Sequence, residues 1–557
     1  MLIGLDVGGT QTDAVILEQQ KIVKSVKVPT NNTDIERSTL NVISKLLEDI
    51  SASDVENINI STTLATNSII ENKMAPVGMF IETGPGISPN FLKCGAYNFF
   101  IKGCIDHRGT ITSCLSHQEL MKKINLLKNQ EIEAIGVVTK FSTRNPAHEL
   151  KIKEILEKEN FKNISMGHEI SGKLNFPRRV FSTYLNSAIY QTMEQFITSL
   201  ENILRKKGFT NKIQMLKADG GTLHLNQAKT LPINTILSGP AASVMGCWYF
   251  FPEKEDAILL DIGGTTTDIS FLANGVPLFE PQGITIQKYP TLIPAIYTVP
   301  IGLGGDSSIS VGQDKKIKIG PERKGNAMAL GGPSPTPTDA FIYLGLLKIG
   351  DVNLAESAMA QIGRQLDTDV RGASETIYQL FGKIIKNHSI KILDEINEHP
   401  VYTIYELLHG KKLIPKKIVA IGGPAQACAP ILEDIFNIPC YVPEYFSVAN
   451  AIGAALSKET MEINLFADTQ KKRLIVPELN KIEKINSSYG LDQAEKEAVN
   501  LIQSYAIKSG IKPELIETDI VESNEFNMVR GFSTVGKNIR VKAQLKPGLL
   551  YKNRENR

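Results

Sequence analysis

Two short stretches hold most of the residues that can do chemistry in concert. LDVGGTQTDAVIL fills positions 5–17 and LDIGGTTTDISFL fills 260–272, and eight of the thirteen aligned positions are identical. Each stretch places a carboxylate, Asp6 or Asp261, at the end of an apolar run. A glycine pair follows, Gly8 with Gly9 or Gly263 with Gly264. Small hydroxyl or amide residues come next: Thr10, Gln11 and Thr12 in the first copy, Thr265 and Thr266 in the second. Glycine lets a backbone turn tightly and approach a ligand, and N–H groups in such a turn cradle anions. A carboxylate leaving a strand beside that cradle suits a hydrated magnesium ion. The expectation is an ATP and Mg2+ site, with Asp6 and Asp261 as catalytic metal ligands and the hairpin tips on the phosphates.

One copy alone would read as an ordinary hairpin with a glycine turn. Two near-identical copies, starting 255 positions apart, report architecture instead. Each apolar run (2–7 and 257–262) reads as a strand, and the β-branched residues after the turn as its return. The pattern resembles the ATPase superfamily of actin, the sugar kinases and the heat-shock chaperones. That resemblance implies a two-lobed, duplicated α/β fold of the actin-like, ribonuclease H-like kind, with a nucleotide clamped between the lobes.

Further stretches read as the supports of this clamp. A helix is expected at 35–50 and a strand at 55–60, and STTLATNSIIENK follows at 61–73. Its polar residues are either a helix start, with Thr66 or Asn67 capping a turn at 68–73, or the ligand edge of a sheet. On the second reading Thr63 and Asn67 face substrate. SGPAASV at 238–244 places Ser238 to cap a helix near Pro240, and KADGGTL at 217–223 carries Asp219 into another glycine turn. PIGLGGDSSISV at 300–311 adds Gly304 and Gly305, expected beside the cofactor, and Asp306, suited to a cation or a substrate amine. IVAIGGPAQACAPILEDIF at 418–436 reads as strand, Gly422-Gly423 turn and helix, the place where the superfamily binds adenosine.

DVGGTQTD, STTLATNSIIE, SGPAASV and DIGGTTTD, in that order and spacing, are similar to the motif series of the hydantoinase/oxoprolinase family, A-subunit type. The resemblance covers most of 1–455. It implies an enzyme that uses ATP to activate a cyclic amide or ketone oxygen, as in 5-oxoprolinases, N-methylhydantoinases and ketone carboxylases, commonly with a separate B subunit. The family usually has a third glycine where Asp306 stands, and either an acid or its amide at 219. Asp219 is thus open as base, metal ligand or turn former. Two rivals share the fold. A small-molecule kinase would need a dedicated base, for which Asp219 is the candidate. A partner-activating ATPase would need interface cysteines, and no obvious pair stands out.

Other features have competing readings. Cys104, His107, Cys114 and His117 form two Cys-x-x-His pairs, but only six residues separate the pairs, and Ser116 with Glu119 makes a capping box; zinc is not expected. FSTRNPAHE at 141–149 offers Arg144 to an anionic substrate, or is a loop opening a helix at Asn145-Pro146. Arg178 and Arg179 read as a solvated start of a long helix at 181–206, or as a grip on phosphate, and a central Asn186 in that helix is odd. Residues 312–338 suggest a lid ending where Thr338 or Asp339 caps a helix, helical patterns dominate 339–409, and NAIGAALS at 450–457 resembles a closing helix between lobes.

The expected division is 1–175 for the first lobe, 176–459 for the second with the lid and a closing helix at 448–458, and 460–557 for a small α+β appendage without readable chemistry. Among 557 residues, 61 basic against 59 acidic side chains imply no polyanion field, so nucleic acid is not expected as a partner. No apolar run reaches membrane-spanning length, no charged leader precedes an apolar signal segment, and six scattered cysteines do not form a disulfide framework. The expectation is a cytoplasmic protein, with a homo-oligomer open to it.

Overall fold

The computed structural model of the chain describes residues 1–31, 35–48, 50–209, 213–280, 282–398 and 412–551. Strand alternation sets its frame, since successive side chains point to opposite faces. In β1 (Leu2–Val7), Ile3, Leu5 and Val7 enter one core. Leu2 joins a different core, Gly4 abuts Ala451, and Asp6 shares their face. β2 (Gln11–Glu18) returns antiparallel with Asp13 opposite Asp6, and β3 (Lys21–Pro29) sets Lys27 opposite Asp13. Beyond β1 lie β4 (Asn57–Thr62) and β5 (Ile213–Leu216), both parallel to it, and β6 (Thr222–His224) closes the edge.

The second lobe repeats that order. β7 (Ala257–Ile262) pairs with β8 (Thr267–Ala273) so that Asp261 faces Asp268. β9 (Thr298–Ile301) lies beyond β8, while β10 (Lys417–Ile421) and β11 (Cys440–Tyr441) run parallel beyond β7. The duplicated α/β architecture expected from the motifs is the one observed.

The sheets do not divide at 175/176. Parallel neighbours require a crossover, and the long helix Phe176–Lys206 brings the chain back to the first sheet at β5. Val180, Leu185, Ile189 and Met193 of that helix pack in the same core as Ile3 and Leu5. The first lobe also carries a parallel four-stranded sheet built from Val77–Glu82, Tyr97–Phe100, Ala134–Thr139 and Asn163–Met166. Past the second lobe, a five-stranded antiparallel sheet between 462 and 545 supports the helix Leu491–Lys508, the expected α+β appendage.

Several helix starts differ from expectation. α1 (Leu64–Ile70) follows Thr63 directly, because Thr62 Oγ1 accepts the Leu64 N–H and Thr66 Oγ1 is taken by the Leu237 N–H. The long helix opens at Phe176 with Asn175 as cap. α2 (Ser238–Phe250) starts at Ser238 itself, after Leu237 in a left-handed conformation; Ser238 Oγ does not cap but bridges to the backbone of Thr62. Thr336, with Asp339, caps the helix Pro337–Tyr343. Residues 312–338 are anchored at both ends: Gly320 N–H bonds Ser308 O, and Met328 and Ala329 donate to the Asp339 carboxylate. Residues 399–409 of the helical stretch lie outside the described residues. Among the described residues no helix is long and apolar enough to cross a membrane.

The lobes meet over α3 (Ala449–Leu456), which lies in a slot cut by glycines. A Cβ on Gly4 would stand 1.9 Å from Ala451 O, one on Gly246 2.2 Å from Ala449 O, and one on Gly453 2.2 Å from Ala242 O. Hydrogen in place of Cβ lets strand and helix backbones touch. Leu2, Val15 and Leu17 of one lobe, Leu259, Val419 and Ile421 of the other, and α2 with α3 form one shared core.

Candidate active site between the lobes

Alternation puts the motif carboxylates on the faces that the lobes turn toward each other. At the mouth of the shared core, the Asn450 side-chain amide donates to both: 3.3 Å to Asp6 Oδ2 and 3.2 Å to Asp261 Oδ2. Ser243 Oγ also donates to Asp261, at 2.6 Å. Asp6 is 6% exposed, and among the described residues its Oδ1 has no close hydrogen-bond partner, although the Ser61 hydroxyl lies near enough to favour the carboxylate. Burial first, then Asp13 and Asp261, push its carboxyl up to about 7. Burial, then the charge of Asp261, likewise raises Asp268 to about 7.

An excess of buried carboxylate oxygen with one orphaned atom fits a hard divalent cation. Among the described residues no group of three or more His, Cys, Asp or Glu converges to hold a metal alone. Two carboxylates completed by water and phosphate oxygens are the ligand set magnesium favours. Asp6 and Asp261 would hold it.

The two turns share one geometry. Gly8 N–H bonds Gln11 O at 3.0 Å, and Gly263 N–H bonds Thr266 O at 2.9 Å. Thr10, Gln11 and Thr266 are exposed, and Thr265 half-buried, at the tips. Thr12 is not at the tip: it is buried with its hydroxyl 2.8 Å from that of Thr30, because alternation turns it to the lobe interior. Thr63 and Asn67 stand over the first turn. The Thr63 N–H bonds Val7 O, and Asn67 Nδ2 lies 3.9 Å from where a Gly9 Cβ would be.

Gly304 and Gly305 pack behind the second turn and support it. Both are buried; Gly305 N–H bonds Gly263 O, Asp306 N–H bonds Gly264 O, and Gly304 N–H is taken by Ser307. Asp306 is paired with Arg323 at 2.9 Å. Gly422, at φ +91°, packs where a Cβ would be 2.7 Å from Asp261 Oδ1, while Gly423 is exposed with open space beside it. Asn450 thus brings Asp6 and Asp261 together, each followed in the chain by its glycine turn, with Gly422 packed on Asp261.

Asp219 and Arg144 lie elsewhere. Asp219 pairs with Lys217 at 2.8 Å and accepts from the Gly221 N–H and Thr460. It borders a cavity of about 420 Å³ against the C-terminal domain, whose lining includes Trp248, Glu459, Tyr505 and Lys542 but neither Asp6 nor Asp261. Arg144 is 5% exposed and stacks 3.1 Å over the Phe466 ring of that domain. Burial, and then Arg540, pull its guanidinium down to about 9. Neither arginine at the long helix is solvated as expected. Arg179 is fully buried on the carbonyls of Thr139, Lys140 and Lys173, and Arg178 binds Gly283 O and Thr291 O. Asn186 ties the helix to Ser165 and Ile233.

Three features escaped the motif reading. Asp13 and Asp268 complete a four-carboxylate face; their signal was present, since each motif copy repeats an aspartate seven positions after the first, opposite it in a tight hairpin. Asn450 carried no signal beyond being polar at the start of an apolar helix. Where the strands of the first lobe's parallel sheet lead into helices, His148 Nδ1 lies 2.6 Å from Glu82 and His168 Nδ1 lies 2.5 Å from Glu149, all four buried. Burial alone would raise Glu149 and lower His168; their mutual hydrogen bond reverses both. Residues this far apart in sequence gave no local pattern.

Comparison with known proteins shows the family and the fold. The chain matches the hydantoinase/oxoprolinase family over 179–463 and that family's N-terminal region over 2–160. It is 24% identical to the acetophenone carboxylase gamma subunit of Aromatoleum aromaticum over 398 residues, 62% of this chain and 53% of that one. It is 23% identical to caprolactamase subunit alpha of Pseudomonas jessenii over 494 residues, 82% of this chain and 70% of that one. The chain spans 62% and 53% of the first two curated relatives it matches. In structure it resembles a nucleotide-free acetone carboxylase from work on ATP-dependent acetone carboxylation, with a TM-score of 0.72, 15% identity, and coverage of 99% of this chain and 87% of that one. The ATP-dependent caprolactamase of Pseudomonas jessenii superimposes with a TM-score of 0.69 at 18% identity, covering 97% and 87%. The chain belongs to the hydantoinase/oxoprolinase family.

Proposed function

We propose that this member of the hydantoinase/oxoprolinase family uses Mg·ATP to phosphorylate the carbonyl oxygen of a cyclic amide or a ketone, making that carbon a target for attack. One observation carries the reading: carboxylates from two copies of one hairpin motif meet within hydrogen-bond reach of a single side-chain amide. An acidic, largely dry face flanked by two exposed glycine turns is suited to a polyphosphate only when a cation accompanies it. Magnesium, when bound, neutralises charge on the phosphates. The protein's own contribution is position: tips 8–11 and 263–266 cradle phosphates from either side, Gly422 and Gly423 lie where the nucleoside extends, and the lobes exclude water.

ATP dependence of relatives acting on a lactam and on a ketone supports the reaction class. Relatives named as subunits support a B-type partner. The test is phosphate release from Mg·ATP by the purified chain over 5-oxoproline, hydantoins, larger lactams, ketones and sugars, with Asp6→Asn and Asp261→Asn as controls. Stimulation by one cyclic amide or ketone, lost about 100-fold or more in both variants, is expected. Stimulation by a sugar, with a stable sugar phosphate as product, would establish the kinase alternative instead.

A further inference from the structure

The turn that enters α3 makes three separate attachments within five residues. Phe446 O accepts the Gly422 N–H at 3.2 Å, which ties it to the loop packed on Asp261. Ser447 O accepts from Lys27 Nζ at 2.9 Å, which ties it to the first lobe beside Asp13. Asn450 Nδ2 then reaches a carboxylate from each lobe. The helix behind it cannot shift easily, because Ala449 O and Ala451 O are seated against Gly246 and Gly4. Asn450 is therefore a fixed point, and the two aspartates are arranged around it.

The chemistry of an amide suits that place. Its nitrogen carries two protons, one for each carboxylate, and no charge. It can hold two like charges at a set separation without neutralising them, so the attraction for a cation survives. A lysine there would fill the site with its own charge; an apolar residue would leave Asp6 and Asp261 facing each other with no donor between them.

We propose that Asn450 is the positioning residue of the clamp: it sets the gap between Asp6 and Asp261 while no cation is bound, and gives up its bonds to them when one enters. The inference rests on the reading of those aspartates as magnesium ligands. Its test is thermal unfolding of the full chain with ADP present throughout, in EDTA and in millimolar magnesium, for wild type, Asn450→Ala and Asn450→Asp, together with calorimetric titration of magnesium into each.

In EDTA, Asn450→Ala is expected to melt about 3 °C or more below wild type and Asn450→Asp lower still, with magnesium closing most of both gaps. Asn450→Asp is also expected to bind magnesium about tenfold more tightly than Asn450→Ala, since it adds a carboxylate to the set. Deficits equal in EDTA and in magnesium would overturn the inference and leave Asn450 as a packing residue, while wild type still gained stability from the metal. A wild type that gains nothing from magnesium would overturn the magnesium reading of the clamp itself. If Asn450→Ala does not fold, Asn450→Asp decides alone, by whether magnesium restores it.

Discussion

The two hairpins have almost the same sequence and very different surroundings. The first stands open. Among the described residues beyond its chain neighbours, no atom comes nearer than 3.9 Å to a would-be Cβ on Gly9, and a lysine from the next strand lies across from Asp13. The second is walled in. Gly304 sits where a Cβ would be 2.5 Å from the Gly264 carbonyl, Gly422 abuts Asp261, and the position across from Asp268 is Pro300, which brings no charge. A repeated motif fixes the local turn and the facing of its carboxylates. The third strand and the loops packed behind the turn decide how much charge each lobe retains and how rigid each tip is. The first copy reads as the adaptable half of the clamp and the second as its fixed half.

The difference can be tested by adding one methyl group. Gly304→Ala is expected to cost about 3 kcal/mol, since backbone stands where the methyl must go, whereas Gly9→Ala should cost no more than about 1 kcal/mol. Chemical denaturation of the two variants checks this, and equal costs would erase the distinction between an open and a packed turn.

Acidity offers a second test. Asp6 and Asp268 have folded-state values near 7, above the ordinary carboxylate value they regain on unfolding. For a carboxyl raised in this way, the stabilising contribution is complete below about pH 4 and is lost as pH climbs through 7. Metal-free protein should therefore lose stability from this source between about pH 4 and pH 7, by at most about 4 kcal/mol per group. Asp268→Asn should flatten that loss more than Asp13→Asn, because burial raises Asp13 while Lys27 pulls it back. Melting curves in EDTA across that range give the answer, and identical slopes in the two variants would contradict the assigned asymmetry.

The smallest effect belongs to Lys27 itself. It is 40% exposed, and solvent screening limits its pairing with Asp13 to about 1 kcal/mol. Lys27→Met should lower stability by no more than that. A much larger loss would mean that its bond to Ser447 O, and not its charge, is what secures the first lobe.

The sequence shows much of this frame because the relevant signals are local. The apolar runs that lead into Asp6 and Asp261 and the glycine pairs after them need only neighbouring residues to be read. The parts that were not legible depend on residues distant in the chain. The pairing of β5 with β4 has no local signal, because about 150 residues intervene. Gly304 and Gly305 look like a third ligand loop until Ser307 and Gly263 take up their N–H groups. Asp219 and Arg144 carry suitable charges, but Lys217 and Phe466 claim them at the C-terminal domain. Asn450 lies about 190 residues from Asp261 and about 440 from Asp6, and only folding brings the three together.

The central claim is that both hairpins hold one metal-bound nucleotide. Electron paramagnetic resonance of manganese, standing in for magnesium and titrated with ATP into the full chain, tests it most directly. The account predicts one ATP-dependent manganese per chain, with affinity reduced at least about tenfold by Asp6→Asn and by Asp261→Asn alike. A tight ion lost in only one of the two variants, or kept in both, would contradict it.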